Sequence, residues 1–224
     1  MVDRVPNARD ESRWRGLVPG TPPFLLIGEP DVRSEIAKVY ELGYRGRAWS
    51  RISFSLTVFH ADYDHRRTQE FRLNPTVVFF ANGMEGKEDG VETWGTVDVM
   101  RGWRLSAGYS KLHRSLELKP GSVDTAALAT VGSDPAQRWT LRSSHDLPGQ
   151  VEFDAIVRHA SALANPRVPG YVAVDVRLGW SPRSDLELSV AGQNLFDPGH
   201  GEFANAATRS ELGRTVFFRV LGRF

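Results

Sequence analysis

His65, Arg66 and Arg67 are consecutive, and three adjacent basic groups suit an anionic ligand. His113, beyond Tyr109, and His200, in "DPGHGEF", are of the kind that ligates haem iron or a metal. Neither has a companion ligand at metal-binding spacing, so the sequence predicts no metal site and no bound cofactor. Ser144 and His145 are neighbours, as a nucleophile and its base would be, but the pair falls at a predicted tight turn. No nucleophile elbow, paired-histidine helix or phosphate loop accompanies it, and an enzyme is not expected. The sharpest short motif, "GQNLFD" at 192–197, reads as a strand exit with an Asx-type turn from Asn194 and Asp197.

Composition narrows the scaffold that must hold these residues. The 224-residue chain is 41% hydrophobic and 25% charged with a formal net charge of +1, which gives no basic surface for nucleic acid. Its length suits one domain. Cysteine is absent, which excludes a disulfide framework, a thiolate metal site and a cysteine nucleophile. No apolar run approaches the roughly 20 residues of a membrane helix; "PPFLLIG" and "TVVFFA" are the longest. The opening "MVDRVPNARDESRWRG" is charged from its third residue and does not read as a signal peptide. Membrane barrels escape such hydropathy tests because their apolar residues are dispersed.

Alternation with period two is the dominant pattern. Ile52, Phe54, Leu56 and Val58 alternate with Ser53, Ser55 and Thr57; Trp103, Leu105, Ala107 and Tyr109 alternate with Arg104, Ser106 and Gly108. Val172, Val174, Val176, Leu178 and Trp180 oppose Ala173, Asp175, Arg177 and Gly179. The pattern predicts ten strands, at 3–12, 34–46, 50–63, 75–99 (bulged at "GMEGKEDG"), 102–117, 136–146, 149–160, 170–181, 185–196 and 213–224. Connections alternate between tight ("GRAWS", "MRG", "DLPG", "SPRSD") and long ("HRRTQEFRLN", "KPGSVDTAALATVGSDPA", "SALANPRVPG", "DPGHGEFANAATRSELG"). Trp49, Trp103 and Trp180 cluster at the tight-turn end, as an interfacial girdle would. "SPRSD" is expected to pair Leu178 with Leu188 and Val176 with Val190, leaving Asp175, Arg177 and Glu187 on the opposite face, where Arg219 of the last strand joins them. Long strands with one-sided loops favour an all-β, antiparallel up-and-down transmembrane barrel; a soluble β-sandwich or lipocalin-like barrel alternates in the same way and is the alternative.

Several stretches, in order, resemble the TonB-dependent outer-membrane receptors. "SEIAKVYELGYRGR" followed by "LTVFHADYDHRRT", "NGMEGKEDGVETWGTVDVMRGWRLSAGYSKL", "GSDPAQRWTLRSSHDLPGQVEFDAIVRH" and "VPGYVAVDVRLGWSPRSDLELSVAGQNLFDPGHGEF" are similar to successive hairpins of that family, and Phe224 is similar to its terminal phenylalanine. The resemblance spans nearly all 224 residues. It implies about 10 strands of a presumed 22-stranded barrel, with residues 1–224 forming the C-terminal part and the plug domain and signal peptide absent. It further implies a receptor, not an enzyme, in the outer membrane of a Gram-negative bacterium, importing an iron–siderophore or similar scarce ligand. Its partners would be outer-membrane lipid, the TonB energy-coupling complex through a missing N-terminal region, and the barrel assembly machinery.

On this reading His65, Arg66, Arg67, His113 and His200 are ligand candidates. Asp175, Arg177, Glu187 and Arg219 face the lumen, holding a plug or lining a hydrated interior. Val216, Phe218, Val220 and Phe224 form the barrel-closing and assembly signal. The alternatives are a self-contained small outer-membrane barrel acting as adhesin or enzyme, and a soluble β-sandwich binding module.

Overall fold

The structure, a computed structural model, describes residues 15–18, 24–73, 77–203 and 209–223. The strand expected at 3–12 and the terminal Phe224 lie outside the described residues. The elements are β1 (Arg15–Val18), β2 (Phe24–Ile27), β3 (Ile36–Ala48), β4 (Ile52–Arg72), β5 (Val77–Met100), β6 (Trp103–Leu118), α1 (Thr125–Ala129) with a 3₁₀ turn (Thr130–Ser133), β7 (Gln137–Leu147), β8 (Val151–Ala160), β9 (Tyr171–Arg183), β10 (Leu186–Gln193), β11 (Gly199–His200), β12 (Leu212–Gly213) and β13 (Thr215–Gly222). Eleven of the strands form one sheet in the order β1-β2-β5-β6-β7-β8-β9-β10-β13, with β4 pairing β3 and β5. From β6 to β13 every pairing is antiparallel. β2 departs from the up-and-down pattern by running parallel to β5, Leu25 to Ile27 against Val77 to Phe79. No helix among the described residues is long and apolar enough to cross a membrane.

The chain divides into two compact units, 1–40, 60–89 and 113–131 in one, and 41–59, 90–112 and 132–224 in the other. In the larger unit the registers place every second residue of β6 to β13 on one face. Trp103, Leu105, Ala107 and Tyr109 face His145, Ser143, Leu141 and Trp139. Phe153, Ala155, Val157 and His159 of β8 continue that face, followed by Leu178, Val176, Val174 and Val172 of β9. Leu188 and Val190 carry it to Val220 and Phe218 of β13. This apolar face lies open: Phe218 is 83% exposed, Val220 72% and Trp180 48%. Each such side chain gains roughly 1.5–3 kcal/mol on leaving water, so a folded sheet of this kind requires an apolar medium or a covering surface.

In the smaller unit the buried side chains among the described residues are Val32, Ala61, Thr68, Glu70, Val77, Met84 and Glu88. The stretch expected as the long loop "HRRTQEFRLN" is strand instead, because β4 continues to Arg72. His65 takes a left-handed conformation at φ 56, which inserts one residue into the alternation. Burial then passes from the odd Ala61 to the even Thr68 and Glu70. The 119–124 segment is tied to β4 and β5: Ser122 Oγ and Val123 N–H donate to Glu70 at 2.5 and 2.9 Å, Gln69 N–H donates to Asp124 at 2.6 Å, and Lys119 N–H donates to the Gly83 carbonyl at 2.8 Å. Asp124 also caps α1 through the Ala127 N–H at 2.9 Å.

Other expectations shift. The β9–β10 turn pairs Arg183 with Leu186, and an irregularity between Leu186 and Leu188 then sets Leu188 against Trp180 and Val190 against Leu178. The expected pairing was two residues off, for a local reason. β9 carries an extra residue there, and Pro182, which has no N–H to lose, sits within it. An even-numbered shift leaves both faces unchanged. The expected loops also hold α1 and the small β11–β12 ribbon, neither of which the alternation predicted.

Gly86 in β5 has φ 153, and an added Cβ would stand 2.2 Å from the Ser115 carbonyl oxygen. Gly86→Ala is therefore expected to destabilise the chain by about 1–3 kcal/mol. Gly108→Ala, whose Cβ would meet only the Thr93 carbonyl at 4.0 Å, serves as the control, and urea midpoints measured in detergent compare the two.

Candidate functional site

The alternate residues of β6 to β13 form a charged face. Its centre is Arg177 of β9, which donates to Glu152 of β8 and Glu187 of β10, both at 2.8 Å, and lies 3.5 Å from Asp154. Asp154 in turn accepts Arg142 at 2.8 Å and the Ser144 hydroxyl at 2.7 Å. Each partner is one strand away on the same face: Asp154 stands opposite Arg177 and Ser144, and the long guanidinium side chains reach the carboxylates that are off register. A cavity of about 760 Å³ opens beside this ladder, lined by Arg51, Asp98, Arg104, Arg142, Asp146 and Asp154 among others. Arg219 shares the face through its register with Ser189.

At the loop end of the same face, Arg158 donates to Asp175 at 2.6 Å and to Asn194 at 3.0 Å. Asn194 takes φ 53, donates its N–H to Asp175 at 2.9 Å and reaches the Gly213 carbonyl at 3.3 Å. The "GQNLFD" motif thus ends β10 by turning Asn194 into a buried junction of three chain segments. Asp197 makes the turn its sequence suggested, accepting Gly199 N–H at 3.0 Å. Its other oxygen holds His200 Nδ1 at 2.8 Å, while His200 Nε2 meets Glu202 at 3.3 Å. The imidazole stacks on Tyr171 at 3.9 Å between ring centroids, and the Tyr171 hydroxyl donates to Glu202 at 2.9 Å. Both His200 nitrogens are engaged by carboxylates. Among the described residues no group of three potential metal ligands is present.

The remaining sequence candidates scatter. His65, Arg66 and Arg67 lie within β4, not on the loop expected for them. Arg66 sits over the Tyr63 ring at 5.2 Å and Arg67 over Phe80 at 5.1 Å, while Asn82 donates to the His65 carbonyl. His65 Nδ1 and Arg66 Nε are buried without a hydrogen-bond partner among the described residues. His113 follows Tyr109 by alternation, which puts it on the side of β6 that carries the apolar residues, away from the charged ladder. Ser144 and His145 sit within β7, not at its turn, and point to opposite faces. The serine that reaches His145 is Ser143, at 2.8 Å, and it also accepts the Trp103 indole N–H at 3.0 Å. No carboxylate orients this pair among the described residues, so the cluster has no acid to complete a triad.

Trp103 and Trp180 occupy the tight-turn end of the apolar face, and Trp49 sits in the β3–β4 turn at φ 48, 84% exposed. Val216, Phe218 and Val220 lie on the apolar side of β13, which pairs with β10 alone among the described residues. One feature escaped the sequence reading. Tyr109, Trp139 and His159 form a second aromatic cluster at the loop end of the apolar face, with Trp139 and His159 stacked at 5.6 Å. Counting aromatic positions from both strand ends would have found it.

A family model described as TonB dependent receptor-like, beta-barrel, matches residues 4–195. The chain belongs to this family. No curated protein matches it. Among solved structures it is similar to the FrpB iron transporter from Neisseria meningitidis, with a TM-score of 0.74 and 15% identity over 88% of this chain and 32% of that one. The pyoverdine outer membrane receptor FpvA from Pseudomonas aeruginosa gives a TM-score of 0.67 and 20% identity, over 86% and 30%. The copper transporter OprC gives a TM-score of 0.68 and 12% identity, over 88% and 33%. The chain spans about a third of the length of these proteins.

Arg177→Met leaves Glu152, Asp154 and Glu187 facing one another, and is expected to cost about 1–3 kcal/mol in a denaturant titration; restoring balance with Glu187→Gln in the same chain should recover part of that loss. Lys119, beyond the end of β6, pairs with Asp64, and its hydrogen bond holds the Asp64 carboxyl below the usual aspartate range, helped by the His65 N–H. A lowered carboxylate pKa stabilises above the unfolded value and is lost as pH falls through the folded one, so this tie is complete above about pH 4. A carboxyl carbon NMR titration should give Asp64 a midpoint that rises in Lys119→Met; an unchanged midpoint would disprove the coupling.

Proposed function

We propose that the chain is the C-terminal barrel portion of an outer-membrane TonB-dependent receptor that imports an iron–siderophore or a comparably scarce ligand. The observation that carries this reading is the two-sided sheet. One face is predominantly apolar and open across β6 to β13, interrupted by Ser143, His145 and His159, while the other carries the Arg177 ladder. A sheet in hydrocarbon must keep apolar side chains outward and satisfy its backbone between strands, and the polar side chains then meet water within. A soluble sandwich would have to cover Phe218, Val220, Val172 and Leu178, which are all exposed.

On this reading Asp175, Arg177, Glu187 and Arg219 line the lumen, where the ladder meets either water or a plug. Trp49, Trp103 and Trp180 mark the inner interface, and the Tyr109–Trp139–His159 cluster marks the outer one. Val216, Phe218, Val220 and Phe224 serve barrel closure and assembly. Ligand contact falls to the loop end, and coupling to the TonB complex falls to parts of the receptor outside residues 1–224. The iron and copper transporters and the pyoverdine receptor named above support a metal-chelate cargo by analogy of fold alone.

Nitroxide labels at positions 174, 188 and 218, in the chain reconstituted into lipid nanodiscs, should be quenched by lipid-dissolved reagents. Labels at 177, 189 and 219 should respond to water-soluble ones. Equal protection of 174, 188 and 218 from both reagents would sink the receptor reading.

A further inference from the structure

We propose that the cavity at the loop end of β7, β8 and β9 is a subsite for one oxyanion group of a small solute, a carboxylate or a phosphate ester, anchored by Arg138. The subsite gives the ligand of the proposed receptor a chemical class, and to that extent rests on that reading. The registers build it in two rows. Arg138, Ala160 and Tyr171 form the outermost row of the charged face, and Thr140, Arg158 and Ala173 the next. Ala160 and Ala173 are buried and short, and Ala160 lines the cavity as floor rather than filling it. The cavity above them is about 320 Å³, and Ser161, Tyr171 and Glu202 also line it.

Of the two arginines that line this cavity, Arg138 and Arg158, one has no carboxylate partner among the described residues. Arg158 is committed to Asp175 and Asn194. Glu202 is committed to the Tyr171 hydroxyl and to His200. Arg209, whose stem covers Gly201, donates only to the Arg167 carbonyl at 3.3 Å among the described residues. Arg138 lines the cavity, is exposed, and makes no hydrogen bond or ion pair with the described residues. A guanidinium fork matches two oxygens of a carboxylate or phosphate and is the side chain best suited to do so. A second donor is at hand, because Ser161 Oγ accepts the Gln137 N–H at 3.1 Å and keeps its own O–H free to give. The pocket, at the lower end of ligand-site volumes, holds a group of several heavy atoms and on this reading takes one anionic arm of a larger solute.

The test titrates the full chain in detergent with citrate and, separately, with inorganic phosphate, followed by calorimetry. At least one probe should bind with a Kd below about 1 mM. Arg138→Gln should weaken binding about tenfold or more, and Arg138→Lys less, since it keeps charge but loses the fork. Arg183→Gln, whose parent pairs with Asp185 at the tight turn, should change nothing. Citrate against phosphate distinguishes a carboxylate from a phosphate source. Phenylglyoxal modification of Arg138, read by mass spectrometry, gives an independent measure and should slow several-fold in the presence of the bound probe. Unaltered affinity in Arg138→Gln, no binding of either probe, or no protection of Arg138 would each overturn the subsite. Failure of the receptor reading shows elsewhere, in the quencher pattern at 174, 188 and 218, and the two results are separable.

Discussion

Strict alternation of side chains across a strand is the constraint from which this structure follows. Because the period is two, any odd slip in pairing would carry Phe218 and Val220 to the charged face and Arg219 to the apolar one. The registers from β6 to β13 hold parity except beside the β9–β10 turn, where the sheet absorbs an inserted residue at the end of the strand. At β9 the irregularity sits beside the tight turn and takes up Pro182. In β4 it sits at His65, beyond the alternating apolar run, and there the burial pattern changes phase. Insertions are tolerated where the strand no longer separates two media.

The charged face is organised by the same rule. Arg177 can hold Glu152 and Glu187 because both lie on flanking strands on its own face, displaced toward the tight turn within reach of its long side chain, and Asp154 then recruits Arg142 and Ser144 from the next strand. Exposed ion pairs contribute little one at a time. A network spanning four adjacent strands does more, because each guanidinium restrains two strands at once. It also leaves the face neutral in patches.

Strand bodies next to tight turns were legible in the sequence because Leu178, Val176 and Val174, or Trp103, Leu105 and Ala107, announce their face by alternation alone. Long-loop territory was not. The sequence beyond Asp64 reads as polar loop because the left-handed turn at His65 shifts the phase, and phase is invisible without φ. α1 spans only Thr125–Ala129, too short for helical periodicity to appear. The site was legible in part: Asp175, Arg177 and Glu187 share a face as alternation requires, whereas His113 follows the opposite side of its strand, and His200 is occupied by two carboxylates. The role of Arg138 was hidden, since nothing in a sequence tells which arginine will lack a carboxylate.

The segment from Lys119 to Asp124 is fastened to β4 and β5 by Glu70, Gln69, Gly83 and Asp64. A connection so anchored has already surrendered its conformational entropy during folding. Anything that later touches it meets a stiff wall, and none of the association free energy is diverted into freezing that stretch of backbone. Amide protons there should accordingly exchange as slowly as those of the strands beneath, in contrast to the usual behaviour of a surface connection of that length.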